Sequence, residues 1–367
     1  MKLFQPLTIR NMTLKNRLVL PAMQLGLGVK SRRATSFYME RARGGAGAII
    51  TAATSVDLLN EDEPWGRPGS VEKFTEVMQS FTAEIRKTGA RTGIQLWHGN
   101  QFPAGHGGDV EGVPRVAPSA NDTCREISIA EIQIIIQRFA AAASQAKKAG
   151  MDFIELHGAH GYLICQFFSP LDNQRTDRYG GDLNGRMQYG IELVKAVRQS
   201  VGEDFPIFYR LGAYEDLPGG VSLEESGQFA VELEKAGVDV IDVSLGRSIS
   251  RTASPTRKSE MGTFVHLAAA IKQKVSIPVI AVGRINAGEI AESVLMDNRA
   301  DLVAVGRQLI ADPFWPQKVL QKKETDVVAC ISCNRCFGPI VNKKWRPGAR
   351  ICKVNDWAGR EVDRGVD

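Results

Sequence analysis

The chain has 367 residues, 43% apolar and 24% charged, with a formal charge of +5. Such a length suits two ordinary domains or one large barrel, and the composition is that of a soluble globular protein. No basic run argues for nucleic acid, no long unbroken apolar window argues for a membrane span, and MKLFQPLTIRNMTLKN lacks the apolar core of a secretory signal. The cytoplasm is the expected compartment, where paired structural disulfides are rare.

In chain order, short β-branched runs alternate with longer stretches of helical period. RLVLPAM (17–23) and GAIITAA (47–53) read as strands, SVEKFTEVMQSFTAEIRKTG as a helix, and TGIQLW (92–97) as a third strand. EIQIIIQRFAAAASQAKKAG is helical and leads to DFIELHG (152–158). PIFYRLG (206–212), the helix SLEESGQFAVELEKAG, DVIDVSLG (239–246), IPVIAVG (277–283) and DLVAVG (301–306) bring the strands to eight. Several helical stretches end in Gly just before the next strand, as a helix C-cap should. Eight such units predict an α/β fold of the (β/α)8 barrel class. An open doubly wound sheet would carry G-x-G-x-x-G after its first strand, where this chain has PAMQLGLGVKS. No linker divides residues 1–325, and residues 326–367 form a cysteine-rich C-terminal segment.

Two connections exceed what a link needs. Residues 98–127 are rich in Gly and Pro and are expected to form a lid that carries His98 and His106. Residues 158–183 follow strand four, and both loops fall at the carboxyl face of a barrel, where active sites are built. Strand four runs into HGAHGYLICQFFSPLDNQRTDRYGG. Two imidazoles and a phenol, His157, His160 and Tyr162, can hold a carbonyl oxygen and deliver a proton. A histidine pair alone suits a metal equally well, and its place at the barrel mouth favours substrate anchoring. Cys165 beside it reads as a small buried residue. Arg247, Ser248 and Arg251 could meet an acidic substrate group or be surface charge. Cys330, Cys333, Cys336 and Cys352 give C-x2-C-x2-C-x15-C, a set that suits iron–sulfur, structural zinc or oxidised pairs.

The strand-four segment resembles the signature of the old yellow enzyme family of NADH:flavin oxidoreductases. The likeness continues in NGRMQYGIELVKAVR, LFQPLTIRNMTLKNRLVLPAM, IQLWHGN and ADLVAVGRQLIADPFW. The resemblance implies one FMN across the carboxyl face. Pro21, Ala22, Met23 and Gln24 would line its edge, with Ala53 behind it. Gln95 would meet the pyrimidine ring and Arg210 the N1–C2 carbonyl side, where a fixed positive charge tunes the potential. Gly283 with Arg284, and Gly306 with Arg307, would hold the phosphate. In the subgroup with this H-x-x-H spacing, both histidines grip a carbonyl, hydride leaves flavin N5 for the β-carbon, and a tyrosine protonates the α-carbon.

A branch of the same family, including 2,4-dienoyl-CoA reductase and trimethylamine and histamine dehydrogenases, carries a comparable cysteine appendage. The resemblance therefore implies a 4Fe–4S cluster on the four late cysteines. The expected activity is reduction of an activated C=C bond in an enoyl-CoA or cyclic enone. The alternatives are an amine dehydrogenase or N-demethylase passing electrons out through the cluster, and a non-catalytic electron-transfer subunit. The absence of cysteine from PAMQLGLG implies non-covalent FMN. In that branch an FAD and nicotinamide-binding region follows the cluster. Here NAD(P)H or a ferredoxin-type donor is expected to act through a partner protein, or through a further domain if the sequence is a fragment. A homo-oligomer is the expected assembly.

Overall fold

Alternation along the strands decides what the interior of this protein holds. The computed structural model describes residues 1–28, 30–59, 70–99, 115–247, 254–338 and 349–365. An antiparallel hairpin, β1 (Leu7–Ile9) and β2 (Met12–Leu14), precedes β3 (Leu18–Leu20). Helix α1 (Arg32–Arg43), β4 (Ala48–Ser55), α2 (Ser70–Lys87) and β5 (Arg91–Trp97) follow. Past a small pair, β6 (Val116–Ala117) and β7 (Arg125–Glu126), come α3 (Ile129–Lys148) and β8 (Phe153–Gly158). Next are α4 (Leu163–Phe168), α5 (Leu183–Val201), β9 (Ile207–Gly212), α6 (Leu223–Ala236) and β10 (Val240–Ser244). The last units are α7 (Val265–Lys272), β11 (Val279–Ala281), α8 (Gly288–Met296), β12 (Leu302–Ala304), α9 (Arg307–Ala311) and α10 (Trp315–Leu320).

Strands β3, β4, β5, β8, β9, β10, β11 and β12 form a closed parallel barrel, and β12 returns to β3 through Val303–Leu18 and Ala304–Val19. This is the (β/α)8 architecture expected from the eight runs. The seventh and eighth strands are shorter than their runs, because Val282, Gly283 and Gly306 leave the ladder to line the barrel mouth. The helices start and stop where the sequence instructs them. Ser128 with Glu131, and Ser222 with Glu225, form capping boxes, and Gly237 ends α6 at φ 113°.

Inside the barrel, Val19, Ile50, Phe153, Phe208, Val240, Ile280 and Leu302 pack with Ile9, Met12 and Leu14 of the hairpin into one apolar plug. Two residues further along the same strands stand Glu155, Arg210 and Asp242, and His157 and Ser244 stand two beyond those. The period of two thus stacks an apolar layer, a charged layer and a histidine-bearing rim. Outward-facing residues join the helices in a second, larger core, which also takes in Ile351 and Ala358 from the C-terminal segment. Arg41 of α1 and Glu361 are both fully buried and ion-paired.

The loop after β8 holds the short helix α4. Its NQRTDRYGG stretch is scaffolding: Arg175 donates to the carbonyls of Pro118 at 2.8 Å and Ile127 at 2.7 Å. Asn173 donates to the carbonyls of Phe167 and Tyr179. The central part of the expected lid, with His106, lies outside the described residues, as do Ser248 and Arg251. Among the described residues no helix is long and apolar enough to cross a membrane.

Candidate active site

The strand ends surround a cavity of about 450 Å³. At its rim, His160 (φ 61°) and Gly161 (φ 76°) take two left-handed steps that turn the chain back on β8. The turn sets the rings of His157 and His160 5.1 Å apart and edge to face, with Tyr162 4.9 Å from His157. Trp97, at the end of β5, meets the other side of Tyr162 at 4.8 Å. Burial, reinforced by the charge of Arg210, lowers His160 to about 3 and holds His157 well below the ordinary imidazole value. Both rings are therefore neutral at physiological pH, each with one N–H and one lone pair. Nδ1 of His157 is buried without a protein partner. Burial also raises the Tyr162 phenol, which keeps its proton at neutral pH.

One wall carries fixed charge. Arg210 Nη1 donates to Asp242 at 2.9 Å and Nη2 to Ser244 Oγ at 3.4 Å, while its Nε has no partner. Gln95 Nε2 donates to Glu155 at 2.7 Å. Pro21, Ala22, Met23, Gln24 and Ala53 line the opposite edge, where Gln24 Nε2 reaches the Ala53 carbonyl at 3.3 Å. Gly283, Arg284, Gly306 and Arg307 bring two guanidiniums to the far end. At Gly283 the positive φ and the nearby backbone leave no room for a side chain, and at Gly306 one would have to displace Met23. A Cβ on Gly283, at φ 119°, would lie 2.8 Å from the Phe264 backbone nitrogen, and one on Gly306 would lie 2.9 Å from Met23 Sδ.

The same cavity is lined by Trp97, Phe264, Asn286 and Gln308, which the sequence reading did not assign to a site. Trp97 had a cue, since it ends the strand that carries Gln95. Phe264 and Asn286 sit in loops with no motif. Arg247 is ion-paired with Asp172 at 2.6 Å. Cys165 is buried, and that burial pushes its thiol up to about 12. His98 is buried too, and desolvation lowers it to about 4.

Cys330, Cys333, Cys336 and Cys352 line one pocket together, and all are free thiols. Among the described residues, no three metal-binding side chains converge on a single ion-sized point. Ser332 (φ 49°) and Asn334 (φ 57°) are left-handed between successive cysteines. Such changes of hand turn backbone N–H groups into an anion-binding nest. The N–H of Ser332 reaches Cys330 Sγ at 3.5 Å. Gln308 ties this loop to the barrel: its Oε1 accepts from the Cys330 N–H at 2.8 Å and its Nε2 donates to the Val328 carbonyl at 3.0 Å. Cys330, Cys336 and Arg307 line both the cysteine pocket and the large cavity.

The model of the NADH:flavin oxidoreductase / NADH oxidase family matches residues 2–326. An NADH oxidase of Thermoanaerobacter brockii is 41% identical over 98% of this chain, which spans 56% of that protein, just over half its length. An NADPH dehydrogenase of Bacillus subtilis (strain 168) is 34% identical, covering 91% of this chain and 98% of its own. Among solved structures, a 2-naphthoyl-CoA reductase superposes with a TM-score of 0.86 at 27% identity, over 99% of this chain and 58% of its own. Histamine dehydrogenase from Rhizobium sp. 4-9 gives 0.83 at 27% identity, over 98% and 53%. With the barrel matched along its whole length, the chain belongs to the NADH:flavin oxidoreductase / NADH oxidase family, the old yellow enzyme family of flavin oxidoreductases.

Proposed function

We propose that the cavity binds FMN non-covalently and that the chain reduces a C=C bond conjugated to a carbonyl. The observation that carries this reading is the neutral His157–His160 pair beside Tyr162. The lining fits the cofactor. The Gln95 amide can both donate and accept, Arg210 offers a fixed positive charge, and Arg284 with Arg307 suits a phosphate. The buried Nε atoms of Arg210 and Arg284 and Oδ1 of Asn286 lack protein partners, as expected where a polar ligand completes a site. When bound, FMN would supply hydride at N5. The chain's own part is then to polarise and protonate. His157 and His160 hold the carbonyl oxygen and draw density from the β-carbon, and Tyr162 gives its proton to the α-carbon.

Residues 326–367 are proposed to form a second unit beside the barrel of residues 1–325, holding a 4Fe–4S cluster on Cys330, Cys333, Cys336 and Cys352. The four thiols, the left-handed loop residues and the N–H to sulfur contact fit such a group. A cluster there would supply single-electron transfer with NAD(P)H or a ferredoxin-type donor acting through another protein or region. A second reading, an amine dehydrogenase, draws on the likeness to histamine dehydrogenase.

Anaerobic reoxidation of the reduced flavin by enones and enoyl-CoA esters, set against flavin reduction by methylated amines, tests the proposal. Reoxidation by enones that is lost in His157→Ala supports it. Reduction by amines with no enone turnover overturns it in favour of the second reading.

A further inference from the structure

Below the cavity, the barrel interior carries a charged layer that no motif announced. Glu155 and Asp242 are both fully buried and flank Arg210 on consecutive strands. Arg210 donates to Oδ2 of Asp242, and Gln95 donates to Oε1 of Glu155. Oε2 of Glu155 and Oδ1 of Asp242 are left with no N–H or O–H partner. The two carboxyl groups lie within hydrogen-bonding reach of each other.

Two buried carboxylates in contact and one guanidinium cannot all stay charged, since repulsion and desolvation both oppose the second anion. One proton between the two orphan oxygens satisfies both, and leaves a single carboxylate facing a single guanidinium. Burial raises both carboxyl groups, and Glu155 takes the proton because Arg210 donates directly to Asp242 and not to Glu155. Asp242 keeps the direct contact with Arg210. The remaining groups facing Glu155 bring no competing charge. Gln95 on β5 donates to it as a neutral amide, and His157, two residues along the same strand, is kept neutral by burial.

We infer that Glu155 is a positioning residue for the cavity floor, a neutral carboxylic acid that donates to Asp242, accepts from Gln95, and holds both in place. With one Nε2–H committed to Glu155, the Gln95 amide keeps its oxygen and its second N–H for the cavity it lines. That is the donor–acceptor pair a pyrimidine edge requires. An ionised Glu155 would instead compete for Arg210 and dilute the positive charge offered to the cavity. The inference rests on the flavin reading only for what meets that edge.

The test uses the full chain. A wild-type minus Glu155→Gln infrared difference spectrum is expected to show the carbonyl stretch of a protonated carboxyl group at neutral pH. Asp242→Asn is expected to abolish that band, because Glu155 then ionises toward Arg210. Glu155→Gln keeps both hydrogen bonds and should hold its FMN dissociation constant within about twofold, whereas Glu155→Leu keeps neither and should weaken it about tenfold. Absence of the band, or equal weakening in Glu155→Gln and Glu155→Leu, overturns the inference. If Glu155→Leu does not fold, the presence of the band in the wild type and its loss in Asp242→Asn decide. A chain that shows the band and binds no FMN defeats the flavin reading and leaves Glu155 as assigned. A chain that binds FMN and lacks the band does the reverse.

Discussion

Nε2 of His160 lies 2.9 Å from the hydroxyl of Ser244, and the same hydroxyl oxygen receives a guanidinium N–H from Arg210. Because Arg210 can only donate, the Ser244 proton is free to point at His160. The neutral imidazole then carries its own proton on Nδ1. A charge on β9 thus favours one tautomer of a ring in the loop after β8.

Ser244→Ala removes that selection without touching either histidine. Affinity for a cyclic enone is expected to fall about tenfold, the order of one lost buried hydrogen bond. Titration followed by flavin absorbance measures it. Unchanged affinity would mean that packing alone orients the ring.

Acid should expose the cost of keeping His160 neutral. Its folded value of about 3 lies below the unfolded value, so the unfolded chain binds the extra proton first and stability falls as pH drops below about 6.5. Asp172, raised to about 6, works in the opposite direction, so the comparison with His160→Asn isolates the ring. Between about pH 6.5 and about pH 5, the variant should lose less stability than the wild type, by up to about 1.4 kcal/mol per pH unit. Denaturant midpoints across that range measure the gap.

Glu361→Ala removes the short ion pair of the fully buried Arg41 and leaves it only the Glu40 carboxylate, 3.5 Å away. The expected loss is about 1.5–3 kcal/mol, the worth of one charge-assisted hydrogen bond, and replacing both residues by apolar ones of similar volume should recover most of it. Equilibrium unfolding of the single and double variants distinguishes a charge penalty from a lost contact.

Cys333→Ser and Cys352→Ser should each reduce iron and sulfide content after anaerobic reconstitution, along with broad visible absorption, while flavin content stays near wild type. Zinc in place of iron in the reconstituted wild type would falsify the cluster assignment.

How much of this was legible depends on distance along the chain. His157, His160 and Tyr162 could be read together because one strand end and one turn carry all three. The barrel was readable from its alternating periods, since each βα unit announces itself locally. Glu155 and Asp242 left a faint signal, a lone acid inside an apolar strand, which acquires meaning only when the register brings the two strands to either side of Arg210. Phe264 and Asn286 reach the cavity from loops without periodicity. The Arg41–Glu361 pair, 320 residues apart, had no local trace at all.

That separation has a bearing on how the protein is made. At roughly 5–20 residues per second, about 16 to 64 s pass between synthesis of Arg41 and synthesis of its partner. Throughout that interval α1 carries a guanidinium destined for complete burial with only Glu40, 3.5 Å away in the folded chain, as its carboxylate. The short Arg41–Glu361 contact can therefore form only after the cysteine-bearing loop has left the ribosome. The last ion pair of the first helix and the four late cysteines thereby become available together.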